Sequence, residues 1–243
     1  MKINFDKFGI NYSRISKTGL FMRNKIKKLL LAEANAISRI PVTGKIEAAV
    51  ELIHKRVHKG CGKLVASGMG KAGQIAGNIA TTFSSTGTPA VFLHPSDAQH
   101  GDLGVISKED ILLLISNSGK TREILELLDL SRNLHNHLPI ILITGNPDSP
   151  LVKLSDIAIN TGNPDEICPL GLTPTTSTTT MTVIGDILVV LLMEKMALIV
   201  KIMQKDTTVA IWGKERGCEN EKYLCNWRNT LRYNFPKEPA KSL

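Results

Sequence analysis

The sequence predicts an α/β fold, a three-layer sandwich in which a parallel sheet of five strands lies between helices. Three observations predict it. Five runs (63–66, 90–93, 111–115, 139–143 and 157–159) are apolar and too short for helices. They are apolar nearly throughout rather than alternating, as strands buried on both faces are. Segments of helical spacing separate them, and a strand–helix–strand alternation makes a parallel sheet.

Taken in order, residues 1–21 show no clear periodicity and read as a leader or a misassigned start, with Met22 the initiator. From Met22 to Ile40, Ile26, Leu29, Leu30, Ala34 and Ile37 recur at helical spacing. Pro41 ends that helix, because the residue before a proline avoids the helical region. A second helix fits Lys45 to His58, with Ile46, Ala49, Val50, Ile53 and Val57 on one face. Lys63–Ala66 is the first strand, followed by helix Gly73–Phe83 and strand Ala90–Leu93. Strand Ile111–Ile115 leads to helix Arg122–Leu134, strand Pro139–Ile143, short helix Ser149–Leu154 and strand Ile157–Ile159. A long helix, Thr175–Lys195, closes the domain 22–195 and leaves an atypical tail, 196–243.

Composition narrows the function. The net charge of +8 suggests nucleic acid, yet residues 22–195 carry only +1, from 17 Lys/Arg against 16 Asp/Glu. The excess sits in the flanks, which also hold both Trp and all three Tyr, so no nucleic-acid partner is expected. No uninterrupted apolar run reaches bilayer length, and no signal peptide is recognisable, so no membrane partner is expected either. Cys61, Cys168, Cys218 and Cys225 lack metal-type spacing and read as reduced thiols of a cytoplasmic protein.

Ligands of parallel sheets bind beyond the carboxyl ends of the strands, so the chemistry is sought there. After the third strand stand Ser116, Asn117, Ser118, Gly119, Lys120 and Thr121, then a helix start. Free backbone N–H groups, hydroxyls and the positive helix end are phosphate donors, although the same residues also suit a capped turn. After the first strand, Ser67-Gly68-Met69-Gly70-Lys71-Ala72-Gly73 matches G-x-G-x-x-G. The acid a dinucleotide requires after the second strand is absent, and Ala72 stands where a Walker loop needs Ser or Thr. What remains is a tight turn with Lys71 over the strand ends, and no cofactor. His94, Asp97, His100 and Asp102 follow the second strand without a standard zinc spacing, so no metal is assigned. A histidine there suits proton transfer to a sugar hydroxyl, or simply packs in the loop. Glu166, just past the last strand, is placed as a partly desolvated general base, or as a solvated acid beside capping threonines.

Together SGMGKAG, TFSSTGTPAVFLHPSDAQHGDLG, ISNSGKTREI, TGNPDSPL, EICPLGLTPTTSTT and GDILVV resemble the sugar isomerase (SIS) family, across about residues 24–195. Within it, the string is most similar to the arabinose-5-phosphate isomerases of lipopolysaccharide and capsule synthesis. The resemblance implies a flavodoxin-like five-stranded sheet, a homodimer or homotetramer and a sugar-phosphate ligand without cofactor. It also implies interconversion of ribulose 5-phosphate and arabinose 5-phosphate, the first step toward Kdo. An isomerase of another phosphosugar, or a SIS module that binds without turnover, is the alternative. Carried over motif by motif, the resemblance implies Lys71, His100, Glu123 and Glu166 as catalytic residues. It assigns the phosphate to Ser116, Asn117, Ser118 and Thr121, assisted by Ser67, Gly68, Ser84 and Ser177.

The family continues after the last helix with a segment ending H-[HP]-G-G-x-L-G, whereas residues 196–243 contain no histidine. Codons permitted by Met196 to Lys214, read in a neighbouring frame, encode two histidines and two glycines in that arrangement. The tail is therefore expected to be a frameshifted reading of the normal one.

Overall fold

The computed structural model describes residues 12–196, with side chains from residue 21 onward. Its centre is a parallel sheet of β1 (Leu64–Gly68), β2 (Ala90–Phe92), β3 (Ile111–Ile115), β4 (Ile140–Thr144) and β5 (Ile157–Asn160). The spatial order is β2-β1-β3-β4-β5, the doubly wound arrangement in which chain direction across the sheet reverses at β1/β3. The three inner strands have every residue buried, which is why their sequences are uniformly apolar.

Alternate residues of each strand feed two separate cores. Leu64, Ala66, Ile111, Leu113, Ile115, Ile141 and Ile143 face one side. There they meet α2 (Lys45–Ile53), α3 (Lys71–Ser85) and α7 (Thr176–Lys195). Val65, Leu112, Leu114, Ile140 and Leu142 face the other side. That side is covered by α4 (Pro95–Ala98), α5 (Arg122–Leu134) and α6 (Pro150–Leu154). The expected three layers are present. At the amino edge of the sheet the buried Asp110 ties the entry of β3 to β1, accepting from the Lys63 N–H at 2.8 Å and from Lys63 Nζ at 2.5 Å.

Several boundaries move. The first helix, α1 (Tyr12–Ser38), starts ten residues before the expected Met22. The helix expected over Lys45–His58 changes pitch, with His54–His58 forming a π-turn. The β2 strand lies at the sheet edge and is only half-buried, with Phe92 41% exposed. Two elements inside the loop after β2, α4 and a 3-10 turn at Asp102–Val105, carry too few residues for periodicity to announce them. Among the described residues α7 alone is long and apolar enough to cross a membrane. It is instead packed on α3, α1 and α2, with Met181, Ile184, Leu188 and Leu192 buried. The frameshift expected over 196–243 falls outside the described residues beyond Met196.

Candidate active site

The loops after β1, β3, β4 and β5 converge on a cleft of about 770 Å³ at the carboxyl ends of the strands. The floor begins at β1. Ser67 is fully buried and its hydroxyl donates to the Leu93 carbonyl at 2.6 Å, binding the ends of β1 and β2 together. At Gly68 a side chain would lie 2.7 Å from the Ala72 carbonyl oxygen, so only glycine lets α3 start this close to the strand. That close start brings Lys71, the first residue of α3, to the wall of the cleft.

The loop after β3 is braced from within. Ser116 is 2% exposed, its Oγ lies 2.9 Å from Thr121 Oγ1, and it accepts the Gly119 N–H at 3.1 Å. Thr121 occupies the N-cap position of α5, yet its hydroxyl turns to Ser116 instead of capping. The first N–H groups of α5 therefore have no side-chain acceptor, and a helix start of this kind has donors to offer an anion. Ser118 and Asn117 are exposed on the cleft wall. The loop after β4 locks onto this one. The Gly145 N–H donates to the Asn117 carbonyl at 3.1 Å, and Asn146 Nδ2 donates to the Ser118 carbonyl at 3.1 Å.

The α7 helix closes the remaining side. Glu166 Oε2 accepts from the Thr175 N–H at 2.7 Å, the Thr175 hydroxyl at 2.9 Å and the Ser177 N–H at 3.3 Å. Glu166 thus caps the helix whose Ser177 and Thr178 line the cleft. Burial pushes its pKa upward, but the donors from Ser177 and Thr175 outweigh burial and hold it below the ordinary value. Its other oxygen, Oε1, has no hydrogen bond among the described residues. Nearby, the Cys168 thiol is lowered to about 6 by the Thr173 hydroxyl and by the N–H groups of Thr173, Leu170 and Leu172.

Of the residues expected from sequence, Lys71, Ser116, Asn117, Ser118, Thr121 and Ser177 line the cleft together. Ser67 and Gly68 support it from beneath, their polar and steric roles already used. Glu166 stands directly behind Ser177. Glu123, half-buried in the first turn of α5, and His100, exposed in the turn after α4, are not on the cleft wall of the single chain. Ser84 is a correction. Its hydroxyl donates at 2.8 Å to the carbonyl of Ala90, the first residue of β2, which places it at the opposite edge of the sheet. The reason is that α3 runs back antiparallel to β1, carrying its last turn away from the strand ends.

Sequence reasoning missed Asn146, Asp148 and Asn163, which line the far side. The TGNPDSPL string lies beyond a buried strand and was a usable signal for the first two. Its first five residues recur as Thr161-Gly162-Asn163-Pro164-Asp165 just past β5, and that repeat was a usable signal for Asn163.

A family model, the SIS domain, matches residues 59–191. The arabinose 5-phosphate isomerase of Pseudomonas aeruginosa is 47% identical over 135 residues, which are 56% of this chain and 41% of that protein. Its Yersinia pestis counterpart is 50% identical over 133 residues, 55% of this chain and 40% of that one. The chain thus spans about two fifths of the length of these curated relatives. Among solved structures, a Bacteroides fragilis protein described as a phosphosugar isomerase involved in capsule formation is 64% identical. It superposes with a TM-score of 0.71, over 72% of this chain and 91% of that one. An Escherichia coli CFT073 protein solved in complex with arabinose 5-phosphate is 35% identical, with a TM-score of 0.65 over 77% of this chain and 94% of that one.

Proposed function

The chain belongs to the SIS domain family, and we propose that it is a cytoplasmic aldose–ketose isomerase interconverting D-ribulose 5-phosphate and D-arabinose 5-phosphate. The observation that carries this reading is the uncapped start of α5, with Ser116–Thr121, on the same cleft as Lys71 and the Glu166-capped start of α7. The relatives named as arabinose 5-phosphate isomerases, and the neighbour solved with that sugar phosphate, support the choice of sugar.

The phosphate sits on the loop after β3, held by the α5 N–H groups and the Ser118 hydroxyl, and this fixes the register of the carbon chain. Glu166 Oε1 removes a proton from C1 of the ketose and returns it to C2, while Oε2 stays anchored on α7. As the electrons move toward O2 an enediolate forms, and the Lys71 ammonium stabilises its charge. A proton passes from O1 to O2 to complete the exchange, and no cofactor takes part. Glu123 is the second carboxylate for the proton transfer, His100 serves the hydroxyl protons, and the working unit is a homodimer or homotetramer.

A module that binds the sugar phosphate without turnover is the second reading, favoured by the commitment of Glu166 Oε2 to capping and by the lack of histidine in 196–243. Incubation with ribulose 5-phosphate followed by NMR separates the two. Appearance of arabinose 5-phosphate signals supports the isomerase; tight binding with no conversion and no solvent exchange at C1 or C2 overturns it.

A further inference from the structure

Asn163 is the one non-glycine residue with positive φ (47°) among the described residues, and it lines the cleft. Asparagine enters the left-handed region more readily than most other side chains, and the turn made there sets the direction of its amide. The loop that carries Asn163 starts from β5, two strands from the phosphate loop, yet its side chain reaches back over the end of β4. A Cβ built on Gly145 would lie 3.3 Å from Asn163 Oδ1 and 2.4 Å from Asn117 Oδ1. Two carboxamides thus converge over one glycine, from opposite sides, on the cleft surface. Both side chains are exposed and neither makes a hydrogen bond among the described residues, whereas the neighbouring Asn146 amide donates to the Ser118 carbonyl and accepts from the Asp148 N–H. A pair of idle amides, each offering both donors and an acceptor, suits a group that donates and accepts at once, which is an alcohol.

We propose that Asn163 is a specificity-determining residue that, facing Asn117 across Gly145, hydrogen-bonds a hydroxyl of the sugar chain beyond the phosphate. The proposal rests on the reading of the cleft as a sugar-phosphate site, and adds the element that tells a polyol phosphate from a bare phosphate ester. A Cβ on Gly145 would push the Asn117 amide aside and crowd that of Asn163. The φ of Gly145 lies outside the left-handed region, so Gly145→Ala leaves the backbone unstrained. Asn163→Gly removes the amide and suits the positive φ better than asparagine does.

The test is calorimetric titration of the full chain with arabinose 5-phosphate, methyl phosphate and inorganic phosphate. In the parent the sugar ester binds more tightly than methyl phosphate. Asn163→Gly should weaken arabinose 5-phosphate about 2- to 10-fold, the range of one neutral hydrogen bond, with the other two ligands unchanged. Gly145→Ala should shift the same ratio in the same direction. Retention of the parent's ratio in both variants overturns the proposal, as does equal weakening of all three ligands, which marks a structural role. A parent that binds methyl phosphate as tightly as the sugar ester also overturns it. Turnover of ribulose 5-phosphate is read separately, so a protein that discriminates but does not convert sinks the isomerase and leaves Asn163 in place.

Discussion

Replacing Glu166 with alanine tests capping and catalysis in one variant. Its carboxylate accepts two N–H groups from the start of α7, those of Thr175 and Ser177, and the Thr175 hydroxyl. Loss of a side-chain cap costs about 1 kcal/mol, within a range of roughly 0.5–2. For a domain of this size that lowers Tm by about 2–4 °C per kcal/mol. Glu166→Gln keeps one acceptor oxygen and loses only the charge at the helix start, about 0.3–1 kcal/mol. Because the folded-state pKa is depressed, the stabilisation is fully present above the ordinary carboxylate value and disappears as pH falls through the lowered one. Melting curves at pH 7 should therefore rank parent above glutamine above alanine; in acid the parent should fall toward the glutamine variant, so its lead over alanine shrinks. Turnover should fall by about 10²–10⁴ in both variants if Oε1 is the base, with inorganic phosphate still competing. The capping argument is refuted if the alanine variant melts with the parent at pH 7, or if the gap is the same in acid. Unchanged turnover in both variants, and in Glu123→Gln, removes carboxylate catalysis.

The other predictions separate support from contact. Ser118→Ala should weaken binding of sugar phosphate by about 10- to 150-fold, as loss of a hydrogen bond to a charged group does, with the melting temperature held. Ser116→Ala should lower both, because its hydroxyl braces Gly119 and Thr121; an unaltered melting curve would contradict that. Ser84→Ala should bind arabinose 5-phosphate as the parent does, and a loss above about tenfold would contradict its position at the far edge of the sheet. Alkylation of Cys168 by iodoacetamide, followed by mass spectrometry, should rise to half its maximal rate near pH 6. A midpoint near the ordinary thiol value, or loss of the shift failing to follow Thr173→Val, would count against the hydroxyl as its cause.

The strands and helices were legible because burial acts locally on the chain. Ile111–Ile115 and Ile140–Thr144 must be apolar at every position to sit between two layers, and this pattern survives in the bare sequence. That the loop after β3 lines a cleft was legible for a related reason, since ligands of parallel sheets bind beyond the carboxyl ends of the strands. Even the fate of Ser84 was within reach. A helix of 15 residues climbs about 22 Å, so its far end cannot return to the strand ends.

What the tertiary structure alone decided is how each polar side chain spends its hydrogen bonds. Glu166 reads as a free base in the sequence, but α7 begins beside it and claims one oxygen. Thr121 reads as a cap, but Ser116 takes its hydroxyl and leaves the helix start open to an anion. Asn163 lies in a second copy of the TGNPD string, which marks a loop but not where the side chain goes. Its meeting with Asn117 over Gly145 depends on three strand ends being side by side. A chain encodes burial residue by residue. The pairing of donors and acceptors is settled only when segments distant in sequence come into register.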